Sequence, residues 1–269
     1  MKFPAGKILF IASLVAFLGS TLDAQSNGGA ARKGTPFLNG ETLTYEGKIS
    51  KIIRGIAVAD LTMTLAKEPN SDDYLVKAEA KSKGTLLKLF RFSFVQEIQS
   101  SIDSGNFRAL RTVKHDVQKE RIRDSEALFD YRERRVTYVE TDPNQPMRPP
   151  RRIASEIDDV SHDLISGLYS LRLMPLAVGK SFRILVSDSG LVYDVPVRVT
   201  AREQQRTIFG KQWCFRIEPE VFGPNRLIER EGSMIIWMTD DARRLPVRSQ
   251  VNSPYGRIEI KLKSAKNLR

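Results

Sequence analysis

Leu191-Val192-Tyr193-Asp194-Val195-Pro196-Val197-Arg198-Val199-Thr200 is the stretch that decides the fold. Leu191, Tyr193, Val195, Val197 and Val199 fall on one face of an extended chain, and Asp194, Arg198 and Thr200 fall on the other. Successive side chains of a strand point to opposite faces, so this spacing predicts a strand with one buried side. The same period recurs elsewhere. Ala57, Ala59, Leu61, Met63 and Leu65 alternate with a mostly polar set that includes Asp60, Thr62 and Thr64. Phe182, Ile184 and Val186 repeat the pattern, and Ile258, Ile260 and Leu262 stand against Glu259, Lys261 and Lys263. Turn formers separate the runs at Asn70-Ser71-Asp72-Asp73, Ser104-Gly105-Asn106, Asp188-Ser189-Gly190, Phe209-Gly210 and Ser253-Pro254-Tyr255-Gly256. Connections this short suit an antiparallel meander, because parallel neighbours need long crossovers.

Two segments break the alternation. Residues 141–152 carry Pro143, Pro146, Pro149 and Pro150, which cannot sit in a central strand, and form a Pro-rich loop. Residues 158–174 read as a helix with Leu164, Leu168 and Leu171 on one face, Asp158 or Ser161 as cap, and Pro175 and Gly179 beyond its end. A weaker helix covers Thr85 to Phe90. The predicted fold is mainly β: a single curved antiparallel sheet or open β-barrel over residues 38–269, with the 158–174 helix packed on its concave side. A hollow between helix and sheet would be lined by Ala57, Ala59, Leu61, Met63, Leu164, Leu168, Tyr169 and Leu171.

At the N-terminus, Lys2 and Lys7 precede an apolar run from Ile8 to Leu18, followed by Gly19, Ser20, Thr21 and Ala24. That order describes a signal peptide over residues 1–24, with an apolar core too short to span a bilayer. Residues 25–37, rich in Gly, Ala, Ser and Asn, read as a disordered leader, with order starting near Gly40. The expectation is an exported protein, periplasmic or secreted, soluble, with no later transmembrane segment. No cysteine stands at the cleavage point for a lipid anchor, and Cys214, the only one in the chain, reads as a small buried hydrophobe.

The chain has 269 residues and a formal charge of +11. Removing Lys2, Lys7 and Asp23 leaves 41 cations against 31 anions, so +10 remains. Such a field favours anionic partners, and export leaves envelope lipid or polysaccharide ahead of nucleic acid. The unneutralised tip Arg148-Pro149-Pro150-Arg151-Arg152 is the candidate contact, through Arg148, Arg151 and Arg152. The mixed charges from Arg108 to Arg152 otherwise read as solvated cross-strand pairs.

Residues for catalysis are few. Asp158-Asp159-Val160-Ser161-His162-Asp163 is the richest polar cluster, and carboxylates at a helix start more simply cap free amides than bind metal. Thr239-Asp240-Asp241-Ala242-Arg243 reads as a hairpin turn, and Pro246 after it marks an edge strand or a bulge. His115 and His162 are the only histidines, His115 on an alternating charged strand that leaves it exposed. No G-x-S-x-G elbow, H-E-x-x-H, C-x-x-C or Gly-rich phosphate loop occurs. The expectation is a protein that is not an enzyme and needs no metal or cofactor.

Gly40-Glu41-x-Leu43-x-Tyr45, Gly55-x-Ala57, Leu164-x-Ser166-x-Leu168-Tyr169-x-Leu171-Arg172 and Ile236-Trp237-Met238-Thr239-Asp240-Asp241-x-Arg243-Arg244-Leu245-Pro246-Val247 resemble, in this order, domain-of-unknown-function family 3108. The resemblance spans about Phe37 to Leu262 and implies an exported bacterial protein without an assigned activity. Trp237 to Val247 also has a more distant likeness to the periplasmic lipoprotein carriers and the sigma-regulator sensors that share their open barrel. That likeness implies an unclosed barrel with a helix lid and an apolar interior for acyl chains. Three functions follow as expectations. A non-catalytic envelope protein binding a lipid or amphipathic ligand comes first, then an envelope protein-interaction or assembly module without a ligand, then a hydrolase acting on polysaccharide or lipid.

Overall fold

Alternation of inward apolar and outward polar residues carries most of the described residues into strands. In chain order these are β1 Phe37–Ser50, β2 Ile56–Lys67, β3 Tyr74–Ser82, β4 Phe94–Ile102, β5 Ala109–Gln118, β6 Arg121–Asp130, β7 Arg135–Thr141 and β8 Arg151–Glu156. They continue as β9 Ser161–His162, β10 Ser181–Asp188, β11 Leu191–Thr207, β12 Gly210–Pro219, β13 Ser233–Thr239, β14 Pro246–Ser253 and β15 Gly256–Leu268. Helix α1, Gly84–Phe90, joins β3 to β4, and helix α2, Leu164–Leu171, lies between β9 and β10. The structure is a computed structural model and describes residues 35–50, 55–254 and 256–269. The expected signal peptide and leader residues 25–34 lie outside the described residues.

All the strands form one sheet, ordered β8-β7-β6-β5-β4-β3-β2-β1-β15-β14-β13-β12-β11-β10-β9. Neighbours in sequence are neighbours in space, apart from β8 and β9, and β1 pairs with β15 as well as with β2 and so joins the first and last strands. Tyr45 lies opposite Leu262 and Gly47 opposite Ile260 there. The sheet curls but does not close: β8 and β9 are its two ends. It is an open β-barrel with α2 on the concave side.

The curled ends meet through a turn rather than a ladder. At the β10–β11 turn Ser189 and Gly190 have φ of 52° and 81°, the left-handed pair that a tight hairpin requires. The turn seats on the inner face of β7 and β8, where Ser155 Oγ donates to the Gly190 carbonyl at 2.7 Å. A Cβ on Gly190 would stand 2.5 Å from Tyr138 Cβ and 2.9 Å from Ile153 Cβ, so only glycine fits.

Several expectations need correction. The helix covers Leu164–Leu171 rather than 158–174. Ser161 and His162 pair with Leu185 and Val186 as the parallel strand β9, which removes them from the helix and breaks the purely antiparallel pattern. The cap is Asp163, not Asp158 or Ser161. Strand β1 begins at Phe37, ahead of the expected Gly40, and the Phe37 ring packs on Phe107 and Tyr169 with centroids 4.9 and 5.5 Å away. The Pro-rich loop is shorter than 141–152: β7 runs through Thr141 and β8 begins at Arg151. Of the two expectations for Pro246, the bulge holds and the edge does not: it sits on an interior strand at the register shift opposite Trp237 and Met238.

Candidate functional site

Helix α2 is the one element the sheet wraps around, so the candidate site is its surroundings. Asp163 Oδ1 accepts from Ile165 N at 3.0 Å and Ser166 N at 2.7 Å, while Ser166 Oγ accepts from Asp163 N at 2.9 Å. This reciprocal box satisfies the free amides of the first turn. Asp163 is buried, and its second oxygen accepts from Thr112 Oγ1. Asp158 and Asp159 are exposed, and Asp158 pairs with Arg134 at 2.9 Å. The six-residue acidic cluster therefore does not converge on one point. Among the described residues no three His, Cys, Asp or Glu side chains gather as metal ligands.

The other end of α2 holds an arrangement that sequence reasoning missed. Arg172 Nη1 and Nη2 donate to the two oxygens of Glu41 at 2.5 and 2.8 Å, and its Nε and Nη2 donate to the Arg243 carbonyl at 3.3 and 3.0 Å. Both charged side chains are sealed from solvent, at 1 % and 0 % exposure. The guanidinium also lies 4.6 Å over the Phe37 ring and 5.3 Å over Tyr169. Three of the motifs quoted above thus meet at one buried ion pair: Gly40-Glu41, Leu171-Arg172 and the 239–244 turn. In that turn Thr239 Oγ1, Arg243 N and Arg244 N all donate to Asp241 Oδ1. Burial raises the Asp241 pKa, but hydrogen bonds from Arg243 and Thr239 outweigh it and leave the carboxyl below its usual range. The one available signal for the pair was that charged residues stood inside otherwise apolar motifs.

Beside this pair the hydroxyls of Tyr45 and Tyr169 are buried without a hydrogen-bond partner among the described residues. Burial raises the pKa of both, Glu41 adds to it and Arg172 opposes it, and Tyr169 further raises that of Tyr45. These phenols stay neutral at any physiological pH.

Of the eight expected cavity residues, Ala59, Leu61, Met63, Leu164, Tyr169 and Leu171 are buried in one apolar cluster, and Leu168 packs half-buried against it. Ala57 is half-buried outside that cluster, its carbonyl accepting from Thr85 Oγ1. Leu164, alone of the eight, lines a recess of about 40 Å³ at the start of α2 between Thr112, Lys114, Ser125, Tyr138 and Ser187, among the described residues. A wider cleft of about 430 Å³ opens on the outside, between Arg198, Glu218, Glu220, Phe222, Arg226 and Met234. Its charges are mutually paired: Glu220 meets Arg198 at 3.0 Å and Arg226 at 3.4 Å.

The inner face of β4 to β7 is more polar than the sequence suggested. Buried Asp116 accepts from Gln96 Nε2 at 3.3 Å and Gln118 Nε2 at 2.9 Å, and Arg123 pairs with buried Asp142. The outer pairs follow expectation, with His115 Nδ1 2.5 Å from Asp124 and Arg111 2.5 Å from Glu126. His115 is thus half-exposed and engaged rather than free. Of the basic tip, Arg148 is exposed on the loop, while Arg151 and Arg152 belong to β8. Arg151 leans back to Glu140 at 4.0 Å, so the three do not form one cluster. Burial lowers the His162 pKa to about 4, against smaller opposing effects of Asp163 and the Phe107 backbone. Burial likewise pushes the Cys214 thiol up to about 12.

An open barrel wrapped around one capped helix, with a buried ion pair locking the helix end, defines a β-barrel-like class of fold. A solved structure of that class, a β-barrel-like protein of domain of unknown function DUF1849 from Brucella abortus, is similar at TM-score 0.59 and 9 % identity. The likeness covers 87 % of this chain and 100 % of the other, and at that identity it shows the fold alone. A protein with a YmcC-like fold from Bacteroides fragilis NCTC 9343 matches at TM-score 0.33 and 9 % identity, over 86 % of this chain and 98 % of the other. That second likeness bears no argument. No curated protein matches the chain. The family model described as "Protein of unknown function (DUF3108)" matches residues 42–263, and the chain belongs to that family.

Proposed function

We propose that this chain is a non-catalytic cell-envelope protein that works by docking through the outside of a filled barrel. The observation that carries this is the packing around α2: seven of the eight side chains expected to face a hollow are joined in one apolar cluster. The recess left beside them, about 40 Å³, has room for a few waters, whereas ligand pockets run to about 300–1,000 Å³. Export rests on the signal-peptide pattern of residues 1–24. The absence of catalysis is supported by a thiol pushed up to about 12, a histidine lowered to about 4 and a second histidine tied to Asp124.

A carrier of an amphipathic ligand is the second reading, favoured by the two tyrosine hydroxyls beside Glu41 and Arg172 that have no hydrogen-bond partner among the described residues. Native mass spectrometry of protein taken from its own envelope, with cross-linking in the same cells, separates the two. Docking predicts the mass of the chain alone and a specific cross-linked envelope protein. An acyl-lipid adduct that exchanges with added acyl-chain probes would overturn it in favour of the carrier.

A further inference from the structure

Three connections at one end of the sheet come together although the chain separates them. Helix α1 leads into β4, and the carbonyl of Ser93 just before that strand accepts from Lys119 N, in the β5–β6 turn, at 3.0 Å. The backbone carbonyl of Glu120, in the same turn, accepts from Asn144 Nδ2 of the β7–β8 loop at 2.6 Å. Helix, turn and loop therefore form one continuous face.

That face combines exposed aliphatic side chains with free positive charge. Leu87 and Leu89 of α1 are 52 % and 54 % exposed, and Met147 on the loop is 94 % exposed. Lys88, Arg91, Lys119, Arg121 and Arg148 surround them, all exposed and with no ion-pair partner among the described residues. Across residues 84–91, 119–121 and 143–148 the only acid is Glu120. Elsewhere several surface cations are tied up in pairs, such as Arg111 with Glu126, Arg134 with Asp158 and Arg202 with Asp240, while others, such as Lys77, Lys180, Lys211 and Lys263, have no ion-pair partner among the described residues.

The geometry points to this end of the barrel as a docking face for an anionic lipid bilayer. Lysine and arginine next to such a surface are drawn to its headgroups, and short aliphatic side chains between them enter the boundary of the acyl region. A bilayer fits better than an acidic protein. The three apolar side chains stand on separate helix and loop tips among cations, whereas a protein interface buries a contiguous patch with charge depleted from its centre. The loop prolines, Pro146, Pro149 and Pro150, leave few donors to build a strand-type contact. This inference goes beyond the docking function proposed above and holds whether or not the barrel carries a ligand.

Vesicle co-sedimentation tests it, with the full-length chain and the same chain begun at Gln25 in parallel, so that the N-terminal apolar run is controlled for. Both forms should bind vesicles of one-third phosphatidylglycerol in phosphatidylcholine and leave pure phosphatidylcholine vesicles in solution. Binding should weaken as salt rises from about 0.05 to about 0.5 M. The triple variant Arg91→Gln, Lys119→Gln, Arg148→Gln should bind about 100-fold more weakly, at roughly fivefold per charge. A second variant, Leu87→Ser, Leu89→Ser, Met147→Ser, should also lose affinity while keeping the parent circular dichroism. Equal binding to neutral vesicles, no binding by the Gln25 form, or binding unmoved by the triple variant would each overturn the assignment. So would capture of an acidic envelope protein through these residues without vesicle binding.

Discussion

Arg172 has a hydrogen bond for nearly every donor its buried guanidinium offers: four of them go to Glu41 and to the Arg243 carbonyl. A buried pair of this kind adds little net stability relative to apolar residues of the same shape, but losing one partner strands a charge. Arg172→Met or Glu41→Met should each lower stability by about 3–5 kcal/mol in urea unfolding, and the double variant should lose less than the sum. Single losses below about 1 kcal/mol with additive behaviour would show that the pair is not closed in solution. His162 supplies a pH signature. Its folded pKa, about 4, lies below the 6.5 of the free group, so the unfolded chain takes up the proton first as pH falls. Its contribution is complete above 6.5 and is lost on descent to about 4, on the order of 3 kcal/mol in total. Urea midpoints measured across that window should fall less steeply in His162→Gln than in the parent. A parallel slope in both would remove His162 as the cause.

The β10–β11 hairpin does for the barrel what a ladder would do in a closed one. Its tip rests on Tyr138 and Ile153, and a methyl group there has no room. Gly190→Ala should therefore cost about 2–4 kcal/mol, from overpacking added to a strained left-handed backbone. Gly210→Ala is the control, since Gly210 has a similar φ of 84° with nothing within 4 Å of the added carbon. Hydrogen exchange should speed up first in β8 and in the hairpin of the Gly190 variant. If both glycine variants behave alike, the tip does not hold the seam. At this scale the sequence was legible where the alternation is strict, as in β11 and β15. It was not legible at Ser161-His162, whose two residues show no period of their own and become strand only because Leu185 and Val186 lie beside them.

Across the whole molecule the pairing of β1 with β15 joins residues more than 200 positions apart, for example Tyr45 with Leu262. Removing residues 256–269 would leave β1 and β14 with bare edges in the middle of the sheet. That truncation should abolish cooperative unfolding followed by near-ultraviolet circular dichroism, whereas replacing residues 143–150 with a short turn should not. A cooperative transition retained after the truncation would show that the two halves of the sheet fold separately. The strictly alternating strands, the turns between them and the presence of a helix between Pro150 and Pro175 were determined by the sequence alone, because residue spacing dictates which side chains share a face. Whether that inward face encloses space was decided only by the tertiary structure. Leu61, Met63, Tyr169 and Leu171 look the same in a string whether they line a hollow or fill it, and only their joining in one buried cluster separates the two. The pairing of Glu41 with Arg172 belongs to the same category: neither residue's neighbours in the chain name its partner, which the curl of the sheet brings across the barrel.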